Sequence, residues 1–408
     1  MPPRALAGIK VLDLSRVLAG PWCGQMLADL GADVVKVERP GAGDDTRAWG
    51  PPWLPDGEGR DTRDAAYFSC TNRNKRSVTI DLARPDGAAL VRRLALQADV
   101  LLENFKVGGL AQYGLDAQAL RAEHPALVYC SITGFGQTGP YAARAGYDFL
   151  IQGMGGLMSI TGRAEGEEGA GPQKVGVALT DVMTGLYATI AVQAALAHRV
   201  RTGEGQHIDL ALLDVQVACL ANQAANYLVG GGVPRRMGNA HPNIVPYEAF
   251  PTSDGDMILA VGNDGQFGRF CDVAGHPEWA RDERYATNPQ RVRHRRDLVA
   301  ALRQATVLRT TREWIVALEA AGVPCGPINR IDEVFQDPQV VARGLRIELP
   351  QADAGTVPGV ANPIRLSASP VAYDRAPPRL GEHTAEVLQD WLGSDPAAIA
   401  AWRGDGVL

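Results

Sequence analysis

Short apolar runs alternate with longer amphipathic stretches over the first 200 residues. Gly8-Ile-Lys-Val-Leu-Asp-Leu14 reads as a buried strand. A helix opens at Ala19-Gly-Pro-Trp22, with Pro21 suited to its first turn, and runs to Leu30-Gly31. Asp33-Val-Val-Lys-Val-Glu38 is the next strand. Strand, short helix and strand make a βαβ unit, which predicts a parallel, Rossmann-like sheet. Further strands are predicted at Ser77-Val-Thr-Ile80, Val100-Leu-Leu-Glu-Asn104 and Leu127-Val-Tyr-Cys-Ser-Ile132, with helices over 86–97 and 116–123.

Val175-Gly-Val-Ala-Leu-Thr-Asp181 leads into a long apolar helix. Val182, Leu186, Ile190 and Ala194 recur along it at helical spacing. It ends near Arg199 and Arg201 with Gly203 just beyond, a normal C-terminal signature. A strand at Ile208-Asp-Leu-Ala-Leu212 and a helix over 214–228 follow. The composition changes after Gly230-Gly-Gly-Val-Pro234. A strand at Met257-Ile-Leu-Ala-Val261 and helices near 267–274, 292–303 and 311–321 predict a smaller α/β lobe. Residues 340–376 read as strand and loop, and a closing helix covers about 384–392.

The 408 residues, 46% hydrophobic and 21% charged, suffice for two domains with large cores. A net charge of −6 gives no basic face for nucleic acid. No apolar run reads as long enough to cross a membrane. The start, Met1-Pro-Pro-Arg, lacks a targeting signal. Six cysteines are scattered without a CxxC pair or zinc spacing, which predicts a reduced, cytoplasmic protein without a metal.

Asp181 stands at a helix start, where free N–H groups and the macrodipole are expected to keep a carboxylate ionised. Capping is the ordinary role of an aspartate there. No G-x-G-x-x-G separates the first strand from its helix, which weakens any nicotinamide-cofactor reading. Asn72-Arg-Asn-Lys-Arg76 packs three cations into four residues, which suits either a solvated turn or a phosphate.

Several segments together resemble one family. They are Gly8-Ile-Lys-Val-Leu-Asp-Leu-Ser15 with Ala19-Gly-Pro21, Ala32-Asp-Val-Val-Lys-Val-Glu-Arg-Pro40, Asn74-Lys-Arg-Ser77, Glu103-Asn-Phe105, Gly134-Phe-Gly-Gln-Thr-Gly-Pro140 and Leu380-Gly-Glu-His-Thr384. In this order they resemble the class III CoA-transferases, which include formyl-CoA, carnitine and succinyl-CoA-dependent dicarboxylate CoA-transferases. The α-methylacyl-CoA racemases share most of these motifs.

The resemblance implies a Rossmann-like large domain built from both chain ends, a smaller α/β domain, and two copies interlocked as a ring homodimer. The implied layout is 1–205 for the first part of the large domain, 206–230 for a linker, 231–330 for the small domain and 331–408 for a linker and the return. Asp181 matches the family nucleophile, which exchanges CoA between acids through a mixed anhydride and an aspartyl-CoA thioester. CoA is then a substrate, and no cofactor is tightly bound. The Gly262-Asn-Asp-Gly-Gln266 loop resembles the family's flap, with Gly265 and Gln266 beside the reacting group.

Val17 and Ala19 resemble nucleotide contacts. Arg39 and Lys75, helped by Arg73 and Arg76, resemble the cations around the CoA phosphates. Asn104 and Phe105 resemble contacts along the pantetheine arm. Gln112 stands where formyl-CoA transferase has an arginine, and Leu18 replaces its glutamine at the acyl group, which argues against a formyl specialist. Tyr147 stands where the racemases keep a histidine base, which favours a transferase over an acyl-CoA racemase or epimerase. Asp148 beside it and His241, in a segment common in dicarboxylate users, are candidate substrate contacts. Arg47, Arg144 and Arg236 are candidates for holding a distal carboxylate. Succinyl-CoA as donor and a small dicarboxylate as acceptor are the expected substrates.

Overall fold

The structure, a computed structural model, describes residues 4–351 and 355–408. Met1-Pro-Pro3, read above for a targeting signal, and residues 352–354 of the strand-and-loop stretch lie outside the described residues. The chain divides into two compact units. One holds Met1–Leu157, Val175–Leu228 and Gln339–Leu408; the other holds Met158–Lys174 and Val229–Pro338.

The first unit begins β1 (Lys10–Asp13), α1 (Ala19–Asp29), β2 (Asp33–Glu38), β3 (Arg76–Thr79), α2 (Pro85–Ala95), β4 (Val100–Glu103), α3 (Ala117–Glu123) and β5 (Val128–Thr133). It continues with α4 (Asp148–Met154), α5 (Leu179–Thr202), β6 (His207–Ala211) and α6 (Leu212–Ala218). The six strands form one parallel sheet in the order β3-β2-β1-β4-β5-β6. Successive side chains of each strand face opposite sides, so both faces need an apolar cover. Val11, Val34, Val100 and Val128 pack with Cys23 and Leu27 of α1 and with Ala188, Val192 and Leu196 of α5. Leu12, Val35, Leu101 and Tyr129 pack the other way, with Leu90 and Leu94 of α2.

The structure differs from the sequence reading at four places here. The stretch 206–230 is not a linker, because β6 pairs with β5 from Tyr129↔His207 to Thr133↔Ala211. The stretch 158–174 belongs with the second unit rather than with 1–205. The helix expected over 214–228 is two, α6 and α7 (Ala221–Gly230), broken where Ala221 takes φ +44°. Helix α5 is, contrary to the sequence reading, long and apolar enough to cross a membrane by length and composition alone. In this fold one side of it lies in the core beneath the sheet.

The second unit has a three-stranded antiparallel sheet of β7 (Tyr247–Pro251), β8 (Asp256–Ala260) and β9 (Cys325–Pro327), with β8 central. Helices α8 (Asp264–Ala274), α9 (Arg295–Thr306) and α10 (Thr311–Ala320) cover it. Phe250, Met257, Phe267, Phe270, Leu302 and Trp314 fill its core.

The chain then returns to the first unit through the hairpin β10 (Arg346–Gln351) and β11 (Gly355–Val360), followed by α11 (Thr384–Leu392) and α12 (Pro396–Gly404). Val387, Leu388, Trp391 and Ile399 join the core formed by Leu12 and Leu101. Arg76 of β3 donates to Asp33 at 2.6 Å, Glu386 at 2.9 Å and Asp390 at 2.7 Å.

Candidate active site

Strand order reverses between β1 and β4, and ligands of doubly wound sheets bind beyond the strand ends at such a point. The loop after β1 is shaped there by buried charge. Asp13 accepts the Ser15 N–H at 3.0 Å and the Lys75 ammonium at 2.9 Å. Lys36, fully buried, donates to the Ser15 carbonyl at 2.8 Å and pairs with Asp44 at 2.9 Å. Burial disfavours the Asp44 carboxylate, but Lys36 and Thr46 outweigh it and bring the group down to about 2. Asp44 in turn accepts the N–H of Val17 at 3.2 Å. Val17 has φ +71°, a left-handed conformation that a β-branched residue avoids unless its surroundings impose it. The Asn104 amide at the end of β4 clamps both sides of the Arg16 backbone, at 2.9 and 2.7 Å.

Asp181 enters the same cleft from the first turn of α5. Ala178 at the N-cap offers no side-chain oxygen, so the cap comes from α4. Asp148 Oδ1 accepts the N–H groups of Thr180 at 2.8 Å and Asp181 at 3.3 Å. Gln152, one turn on, holds Asp148 Oδ2 at 2.7 Å and accepts the Val175 N–H at 2.9 Å. Thr180 Oγ1 donates to Gln216 at 2.6 Å. Burial, then repulsion from Asp148, pushes the Asp181 carboxyl up to about 7. The expectation that the helix start keeps it ionised is corrected: those N–H groups serve Asp148, which adds a like charge.

Two glycine contacts bring the walls together. A Cβ on Gly185, one turn beyond Asp181, would lie 2.7 Å from the Ala19 carbonyl, so α5 touches the start of α1. A Cβ on Gly146 would lie 2.4 Å from the Gly134 Cα, which presses the Tyr147 segment onto the end of β5.

The cleft holds about 180 Å³ and is lined by Val17, Leu18, Ala19, Asn104, Phe105, Tyr147 and Asp181. Arg16, Lys106 and Arg144 line it too, and none of its lining residues is a histidine. Arg16, Asp45 and Phe105 also border a neighbouring cavity of about 250 Å³, which contains Arg39, Ile80, Leu82 and Tyr113. The two cavities share these three residues, with Asp181 bordering the first and Arg39 the second. Arg16 and Lys106 were missed from the sequence. Their only signal there was their place just past the ends of β1 and β4.

Three cations named from the sequence lie away from both cavities, each held by other partners. Lys75 is fully buried, and its ammonium is held by Asp13, the Pro21 carbonyl and Asn72, all within 2.9 Å. Burial lowers it to about 8 against the pull of Asp13. Arg73 is spent on Asp29 and the Val360 carbonyl, and Arg76 on Asp33, Glu386 and Asp390. None of the three lines either cavity. Asn104 grips the Arg16 backbone rather than pointing a free amide along the cleft. Tyr147 stands at the lip, 64% exposed.

Gly265, Gln266 and His241 belong to the second unit. There Asn263 caps α8 by accepting the Gln266 N–H at 2.9 Å, and Gln266 Oε1 accepts the Gly262 N–H at 2.7 Å. The His241 ring accepts the Asn243 N–H at 3.1 Å and lies against Tyr247. Arg47 is buried between Glu38 and Asp64, and Arg236 donates to the Ser159 carbonyl beside Glu165.

A buried carboxyl of raised pKa that lines a cleft beyond the strand ends marks this place as a candidate active site. Residues 6–384 match the family described as CoA-transferase family III, and the chain belongs to that family as a CoA-transferase. It is 57% identical to the succinate–glutarate CoA-transferase of Agrobacterium fabrum, over 95% of this chain and 96% of that one. It is 44% identical to the succinyl-CoA:glutarate CoA-transferase of Mus musculus, over 99% of this chain and 90% of that one. The crystal structure of a CAIB/BAIF family protein from Brucella suis superposes with a TM-score of 0.83 at 53% identity, covering 96% of this chain and all of that chain.

Proposed function

We propose that this CoA-transferase moves CoA from succinyl-CoA to a small dicarboxylate, glutarate foremost, with Asp181 as nucleophile. The observation that carries the reading is Asp181 itself, a buried carboxylate facing the cleft. The names of the relatives at 57% and 44% identity supply the acids.

An Asp181 oxygen attacks the thioester carbonyl, the C–S bond breaks, and CoA thiolate leaves a succinyl–aspartyl anhydride. The thiolate attacks the aspartyl carbonyl, forming an aspartyl-CoA thioester and releasing succinate. The acceptor carboxylate attacks that thioester, giving a new anhydride and thiolate. The thiolate then attacks the acceptor acyl carbonyl, which yields the new acyl-CoA and restores the Asp181 carboxylate. Each step exchanges one carbonyl bond for another, so thioester energy survives as long as water is kept out.

A homodimer with interlocked rings belongs to this reading. Phe149, Leu150 and Met154 on α4 and Leu186, Tyr187 and Ile190 on α5 are exposed at 40% or more. An apolar surface of that kind calls for a cover. The six cysteines are unpaired, which supports a reducing, cytoplasmic setting.

The test is to trap the intermediate. Incubation with succinyl-CoA, then hydroxylamine or borohydride, is expected to modify Asp181, located by mass spectrometry. Asp181→Asn is expected to lose turnover by about 1,000-fold or more. An unmodified Asp181 with deuterium entering beside the thioester would replace this reading with a racemase.

A further inference from the structure

Three arginines compete for the distal carboxylate of a dicarboxylate substrate, and the structure separates them. Arg47 is 4% exposed and spent on Glu38 and Asp64. Arg236 donates to the Ser159 carbonyl and faces Glu165. Arg144 lines the cleft that contains Asp181. Its guanidinium lies 4.6 Å from the Tyr141 ring centre and 5.1 Å from that of Phe135. Among the described residues its guanidinium has no carboxylate partner, and it makes a long contact of 3.9 Å to Met154 Sδ.

The physics of this arrangement favours an anion. Aromatic faces attract a guanidinium without using its N–H donors. The cation is therefore positioned while nearly all five donors stay unspent, ready for bidentate binding of a carboxylate. Its place along the cleft selects which anion. Arg16 and Phe105 mark the boundary with the Arg39 cavity, and Arg144 lines only the compartment that holds Asp181. A phosphate of CoA belongs on the Arg39 side, and the free carboxylate of the acyl chain belongs on the Asp181 side.

Resting on the function proposed above, we propose that Arg144 is the specificity-determining residue that binds the ω-carboxylate of the dicarboxylyl group, on the donor and again on the acceptor. Tyr141 and Phe135 serve as its positioning residues.

The test compares succinyl-CoA with butyryl-CoA, which has the same chain length but a methyl group in place of the carboxylate. Release of free acid under single-turnover conditions is measured for wild type, Arg144→Gln and Arg144→Lys. Wild type is expected to prefer succinyl-CoA. Arg144→Gln is expected to lose on the order of 100-fold in kcat/KM for succinyl-CoA and less than about twofold for butyryl-CoA. Arg144→Lys is expected to recover part of the loss, since it keeps the charge but not the fork. Equal losses for both donors would overturn the proposal by assigning Arg144 to CoA or to the fold, as would an unchanged preference. A wild type without preference for succinyl-CoA would instead overturn the dicarboxylate reading on which the proposal rests. Circular dichroism and CoA affinity of each variant separate misfolding from lost recognition.

Discussion

Asp148 accepts the backbone N–H of Asp181 at 3.3 Å and that of Thr180 at 2.8 Å, so the neighbour that fixes the Asp181 backbone also repels its charge. The backbone of the first turn cannot shift without losing this cap. The carboxyl that the turn presents is held, by burial and by Asp148, at about 7 instead of 3.8.

The first prediction concerns rate. Only the ionised carboxylate attacks a thioester, so kcat/KM should rise about tenfold per pH unit below 7 and level off above it. Asp148→Asn keeps an acceptor oxygen but removes the charge, and should move the inflection to lower pH. A pH–rate profile of both proteins checks this, and an inflection that stays in place counts against Asp148 as a cause.

The second concerns stability. Asp181 titrates higher in the folded chain than in the unfolded one, where the value is near 3.9. The unfolded state therefore loses this proton first. The group's stabilising contribution is complete below about pH 4 and disappears as pH rises through 7. Asp181→Asn has no proton to lose, so its advantage over wild type should grow between pH 5 and pH 8, by roughly 2.5 kcal/mol at most. Urea denaturation at both values measures it, and a constant difference would refute it.

The third concerns packing. Gly185→Ala places a methyl against the Ala19 carbonyl and Trp22, both closer than 3.0 Å. Helix α5 must move away from α1, at about 1–3 kcal/mol. Because Leu18 and Ala19 share the cleft with Asp181, turnover should fall as well. A shifted urea midpoint with unchanged slope, together with reduced kcat, is the expected pair of results.

The fourth follows from the reassignment of Lys75. Lys75→Met removes the partner of a fully buried Asp13 and should destabilise the fold by about 3–5 kcal/mol. Where the variant still folds, CoA affinity should stay within about threefold, since Lys75 lines neither cavity. Isothermal titration at low temperature reads the affinity. A hundredfold loss would restore Lys75 to the phosphates.

The parallel sheet was legible because βαβ spacing and short apolar strands follow from local physics. Asp181 stood out only through a family motif, since an aspartate at a helix start is ordinary. The burial of Arg73, Lys75 and Arg76 was not legible, because surface and buried cations look alike in sequence. What decides their role is Asp29, Asp13 and Asp33, each more than 40 residues away. The choice of Arg144 over Arg47 had the same obstacle, because Glu38 and Asp64 become partners of Arg47 only once the loop after β2 has closed. Residues 158–174 include a glycine- and glutamate-rich run from Gly162 to Gly171, which was the one signal in the sequence that they leave the first unit.

The first unit draws on both ends of the chain, and this sets an order of events during synthesis. Asp29 waits for Asn362, Asp33 for Trp391, and Arg76 for Glu386 and Asp390. A ribosome delivers the chain from its N-terminus, so the middle unit can fold while the lobe that holds Asp181 still lacks α11 and α12. The lobe that holds Asp181 therefore closes its core only after α11 and α12 have been made, and a chain cut before them leaves Leu12 and Leu101 without part of their cover.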